Sequence, residues 1–209
     1  MKKSIILLSI CALPVLAGDP APVIAPAPAP CPLTLEVAAV YNDANHATIS
    51  NFPGIEDINT WGADLTANYA LNSKHSVNLR LGYTFGDEVS RYPFEQIELD
   101  QHTFYLMPGY RYTHALTEKV ALFAGVNAGI ANVSTKACVD AADARFKNHD
   151  SDWGFAYSLE AGVRYQLSPK MEVFAAYSFN GSTAQPELGE TEYNKQTYHG
   201  VRTGVSFSF

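Results

Sequence analysis

From Leu33 onward, apolar and polar residues alternate with a period of two, which is the pattern of strands carrying one apolar face. Eight segments show it. The first, 33–42, puts Leu33, Leu35, Val37, Ala39 and Tyr41 on one side. The second, 59–70, lines up Trp61, Leu65 and Tyr69; the third, 76–86, Val77, Leu79, Leu81, Tyr83 and Phe85. The fourth, 100–112, carries Phe104, Leu106, Tyr110 and Tyr112; the fifth, 120–131, Leu122, Val126 and Ile130. The sixth, 153–166, carries Phe155, Tyr157, Leu159, Val163 and Tyr165. The seventh, 171–180, carries Val173, Tyr177 and Phe179; the eighth, 197–209, Val201, Val205, Phe207 and Phe209. Connections after the second, fourth and sixth segments are short, and the other four run to roughly 12–21 residues. Strict short–long alternation predicts up-and-down antiparallel topology with every long loop at one end. Eight strands can close on themselves and so leave no free edge.

The segments before Leu33 read differently. Lys2 and Lys3 precede an apolar run from Ile5 to Leu16, and Val15-Leu16-Ala17 suits signal-peptidase cleavage. Residues 1–17 are therefore predicted to be a secretory signal peptide that includes Cys11. Residues 18–32 form a Pro/Ala-rich leader. The alternating prolines of 19–32 favour an extended polyproline II spacer of at most about 43 Å. The mature chain keeps Cys31 and Cys138. The layout places them near opposite ends of the barrel, too far apart for a disulfide, so two free thiols are expected.

The polar faces of the eight segments decide between a soluble carrier and a membrane barrel. They carry Glu36, Asp64, Arg80, Arg111, Glu160, Arg164, Glu172 and Arg202, four acids and four bases. In a soluble barrel these charges face water and the apolar set faces inward. In a membrane barrel the faces are exchanged. The aromatics sort into two belts. Tyr69, Tyr110, Tyr112, Tyr165, Phe207 and Phe209 fall near the short turns. Tyr41, Trp61, Tyr83, Phe85, Phe104, Phe155, Tyr177 and Phe179 fall toward the long loops. Amphipathic rings at two heights mark two membrane interfaces. The fold predicted is all-β: an eight-stranded antiparallel up-and-down transmembrane β-barrel over residues 33–209. The eight charges then sit in a narrow lumen, where they must pair. Counting register through the short turns pairs Asp64 with Arg80 and Arg164 with Glu172. Glu36 and Arg202 face each other across the closing seam.

Charge sharpens the orientation. After signal removal the chain holds 12 Lys+Arg against 21 Asp+Glu, and the lumen set sums to zero. The long loops, with Asp100, carry 15 acids against 5 bases, so almost all the imbalance falls at one end. No basic stripe exists for nucleic acid. The six histidines show no metal-ligand spacing, and no phosphate-cradling glycine loop opens a helix, so no metal or cofactor is expected.

The ending, Tyr198-His199-Gly200-Val201-Arg202-Thr203-Gly204-Val205-Ser206-Phe207-Ser208-Phe209, resembles the last strand of small outer-membrane β-barrels of Gram-negative bacteria. So do Pro108-Gly109-Tyr110-Arg111-Tyr112 and Leu122-Phe123-Ala124-Gly125-Val126. The whole span 33–209 is similar to the OmpA/OmpX-type, opacity-protein-like family. The resemblance implies a cell outer membrane location, with outer-membrane lipids, lipopolysaccharide and the outer-membrane assembly machinery as partners. Val205, Phe207 and Phe209 are then the assembly signal. No peptidoglycan-binding domain follows the barrel within this sequence. The role implied is structural or surface-interacting and not catalytic, with a lumen plugged by charge and acidic loops meeting a surface or host ligand. Two alternatives follow from the resemblance. Exchange of carboxylate partners by an arginine would gate a narrow ion or small-solute channel. His102, His199 and Ser178, all near the outer height, would be the candidates in an outer-leaflet lipid A-modifying enzyme. His102 and His199 lie across the barrel from each other, and a base needs its nucleophile within hydrogen-bond reach.

Overall fold

Alternating side chains along each segment produce strands whose two faces meet different surroundings, and the structure bears this out. The computed structural model describes residues 33–44, 58–92, 95–141, 144–188, 191–192 and 196–209. The predicted signal segment, the leader and Cys31 lie outside the described residues. The strands are β1 (Leu33–Ala44), β2 (Thr60–Ala70), β3 (His75–Tyr92), β4 (Glu95–Ala115) and β5 (Val120–Ala141). They continue with β6 (Ala144–Ser168), β7 (Met171–Ser182), β8 (Glu187–Leu188), β9 (Thr191–Glu192) and β10 (Gln196–Ser208). Eight of them close a barrel in the order β1-β10-β7-β6-β5-β4-β3-β2, and β8 and β9 form a separate small ladder. Every pairing is antiparallel, and β1 closes on β10 with Glu36 opposite Ser206 and Tyr41 opposite Val201.

Three inner turns share one construction. The side-chain oxygen of Asn72 accepts hydrogen bonds from the Lys74 and His75 amides at 2.9 and 3.0 Å. Thr117 Oγ1 does the same for Lys119 and Val120, and Ser168 Oγ accepts from Lys170. Such Asx- and hydroxyl-closed turns need no long loop. Each leaves a lysine just before the next strand: Lys74, Lys119 and Lys170.

The outer end departs from the sequence expectation in one respect. Residues 87–99 and 132–152 were expected as loops. Instead, β3 and β4 stay paired out to Tyr92 opposite Glu95, and β5 and β6 out to Ala141 opposite Ala144. Ile97, Leu99, Val133 and Ala137 are buried on the inward face, so the alternation persists. The acids of this stretch hide that period. Half of the wall, β3 to β6, therefore rises above the rest.

The apolar set faces outward. Val37, Leu65, Leu79, Val126 and Leu159 are exposed, as are Trp61 and Phe155 of the outer belt. On the inner side, Tyr105 lies against Gly82, and on the outer side Tyr157 lies against Gly181 beside Phe155 and Phe179, each glycine directly opposite its ring on the next strand. A Cβ at Gly82 would sit 2.2 Å from the Tyr105 ring, and one at Gly181 would sit 2.3 Å from the Tyr157 ring. Gly82 thus makes room for a ring that fills the lumen, and Gly181 for a ring of the outer belt.

Candidate functional site

The inward phase of seven strands brings all eight lumen charges into one connected set. Glu160, on β6, stands at its centre and is buried. Its carboxylate accepts from Arg80 Nη2 at 2.5 Å, Arg111 Nη2 at 2.8 Å and Arg202 Nη1 at 2.6 Å. Arg111 also grips Glu36 with two bonds, at 2.7 and 3.2 Å, and donates to Asn68. Arg164 bonds Glu36 and reaches Glu172 at 3.2 Å. Arg202 holds Asp64 in a fork, with both bonds at 2.7 Å. The path runs Glu172, Arg164, Glu36, Arg111, Glu160, Arg202, Asp64, with Arg80 branching from Glu160. Four guanidinium and four carboxylate groups balance, which is what burial of ions demands.

Two of the three sequence-predicted pairings are corrected by this arrangement. Arg164 does meet Glu172. Asp64, however, pairs with Arg202 and not Arg80, and Glu36 pairs with Arg111 and Arg164 and not Arg202. An arginine is long enough to cross so narrow a lumen. Partner choice therefore follows position across the interior and not adjacency along the wall.

Phe123 and Phe174, also on the inward phase, pack edge to face with centroids 6.3 Å apart. The Arg111 guanidinium lies 4.7 Å from the centre of the Phe123 ring, and that of Arg202 5.5 Å from Phe174. These rings keep water from the arginine faces and strengthen the ion pairs beside them. Sequence reasoning missed both. An aromatic residue out of phase with its strand's apolar face was the available signal.

Above the charges lies a small cavity of about 50 Å³ with a mostly apolar lining, in whose wall Arg80, Arg202 and Asn180 stand beside Val40, Met107 and Ala156. Gln101, Gln196 and Tyr198 bridge the lumen above it, with Gln101 Nε2 donating to Gln196 at 3.0 Å and to Tyr198 at 2.8 Å. Ile58, Leu99, Val133 and Ala184 are buried at the outer end. The interior is closed twice, by ions below and by an amide and apolar layer above.

The family model for the outer membrane protein beta-barrel domain matches residues 5–209. The chain belongs to that family. It is a small outer-membrane β-barrel whose lumen is plugged by a buried salt-bridge network. Among solved structures it is similar to Neisserial surface protein A (NspA), at 14% identity and TM-score 0.51, covering 85% of this chain and 97% of that one. It is also similar to the outer membrane protease OmpT from Escherichia coli, at 12% identity and TM-score 0.50, covering 85% and 96%. At these identities the likeness is one of fold. No curated protein matches the sequence.

The outer-membrane barrel keeps the three residues considered for lipid chemistry apart. His102 is exposed on the outer wall, where its ring meets the Tyr83 hydroxyl at 2.7 Å. His199 pairs in the same way with Tyr177. Ser178 is fully buried in the lumen and accepts from Asn180. The histidines and the serine thus occupy opposite faces of the wall. Among the described residues no group of three or more His, Cys, Asp or Glu gathers as a metal site. Cys138 is buried near the outer end. Phe207 and Phe209 point outward at the inner rim, with Val205 on the same phase of β10.

Proposed function

We propose that this barrel is a non-catalytic, structural and surface-interacting component of the outer membrane, and that its working surface is the tall wall formed by β3 to β6. The observation that carries the reading is the double closure of the lumen. A barrel sealed by eight paired charges and an upper layer offers no continuous path, which leaves the outer surface as the place where function can reside. That surface is acidic, with Asp87 directly opposite Asp100 in the β3–β4 hairpin. Its partners are lipopolysaccharide around the belts and a surface or host ligand above them. The chain reaches this site through a cleaved signal, residues 1–17. The leader, 18–32, stays on the periplasmic side as a passive spacer, and Val205, Phe207 and Phe209 address the assembly machinery.

Single-channel recording in a planar bilayer tests the proposal. Stable insertion without discrete steps is expected. Steps that change in Arg80→Met would replace the reading with a gated channel. A changed lipid A mass in expressing cells would replace it with the enzyme reading, for which the separation of His102 and His199 from Ser178 offers no support.

A further inference from the structure

The inner mouth of the barrel opens into a vestibule of about 540 Å³, within the range of small-molecule pockets. Its lining is unlike the outer loops. Lys74 and Lys170 stand on the β2–β3 and β6–β7 turns, on opposite sides of the closed barrel. Both are exposed, and neither makes an ion pair among the described residues. Arg111 and Arg164 form the roof. Glu172 is the acidic side chain of the lining, and Arg164 already holds it.

The roof also carries unmet donors. Arg164 Nε and Asn68 Nδ2 are buried and find no hydrogen-bond partner, although the other polar atoms of both side chains are bonded. A buried donor without an acceptor is costly, and these two belong to residues lining the same space. Two unpaired ammonium groups across the mouth and two unmatched N–H donors in its roof ask for acceptor oxygens bearing negative charge. A single carboxylate cannot serve lysines on opposite walls. A molecule with two or more anionic groups can.

We propose that the vestibule is a binding site, open to the periplasm, for a small multivalent anion carrying two or more carboxylate or phosphate groups. Lys74 and Lys170 hold its ends, and small shifts of the Arg164 and Asn68 side chains bring their unmatched Nε and Nδ2 donors to it from the roof. The plug stays intact, because Glu36 keeps its bonds to Arg111 and Arg164 on the lumen side. The site is independent of what the outer wall meets.

The third inner turn supplies the control. Lys119 sits in the equivalent position but does not line the vestibule. The test is calorimetric titration of the whole protein in detergent micelles with citrate and with pyrophosphate, at low and at 0.3 M salt. Saturable one-site binding of either probe is expected, and which one binds separates carboxylate from phosphate recognition. Lys74→Gln combined with Lys170→Gln should weaken that binding at least tenfold, whereas Lys119→Gln should leave it within twofold. All three lysines lie on exposed turns, and unchanged far-UV circular dichroism verifies that the variants fold. Absence of saturable binding for both probes overturns the proposal. So does an equal loss in Lys119→Gln, which would mean a diffuse rim potential and not a site.

Discussion

Removing Glu160 should destabilise the barrel far more than removing Arg80, although the two form one ion pair. The asymmetry follows from their other partners. With Glu160→Gln, Arg111 keeps Glu36 and Asn68, and Arg202 keeps both bonds to Asp64. Among the described residues Arg80 keeps Ser158, at 3.3 Å, while its charge stays buried. Breaking a buried pair in this way costs about 3–5 kcal/mol. With Arg80→Met, the charge and its desolvation penalty leave together, and Glu160 still accepts from two arginines. That change should cost about 1 kcal/mol. The double variant, Arg80→Met with Glu160→Gln, strands no ion and should lie within about 1–2 kcal/mol of the parent. The assay is reversible urea unfolding in lipid vesicles, followed by fluorescence of Trp61 and Trp153, which are both exposed on the outer wall. At a slope of about 3 kcal/mol/M, Glu160→Gln should lower the midpoint by at least about 1 M. Additive single and double effects, or an Arg80→Met cost equal to that of Glu160→Gln, would refute the reasoning.

Three further outcomes are expected. Val126→Arg places a charge on the lipid-facing wall and should cost about 2–4 kcal/mol in the same unfolding assay, whereas Lys119→Gln on an inner turn should cost almost nothing. Gly82→Val drives a side chain into the Tyr105 ring and should destabilise by about 1–3 kcal/mol; pairing it with Tyr105→Ala should recover part of the loss. Phe209→Ala should lower the amount of barrel found in outer membranes several-fold, measured by heat-modifiable gel migration, while refolding in detergent proceeds as in the parent.

Much of this architecture is legible in the sequence because a strand allows only two phases. Once Val37 and Leu65 are assigned to lipid, Glu36 and Asp64 must face the lumen, and so must the other six charges. Partners are harder to read. Asp64 finds Arg202 and Glu160 gathers arginines from three other strands because contacts across a lumen depend on the stagger of the closed barrel, a property of the whole ring. The height of β3 to β6 was obscured by composition: Asp87, Glu98 and Asp100 suggested a solvated loop, although Ile97 and Leu99 kept the strand period beneath them. Phe123 and Phe174 break the apolar-out rule, and that rule alone gives no reason to place them in the lumen. The vestibule depends on where three similar turns fall around the circumference, which no local pattern encodes.

The exact cancellation of charge inside the lumen has an electrical consequence. A potential of 100 mV does about 2.3 kcal/mol of work on each elementary charge carried across a membrane. A unit whose four cations and four anions move together carries none. A voltage difference between periplasm and medium therefore has no handle on the network as a body. A voltage ramp that pulls open a channel with a net gating charge should leave this barrel silent.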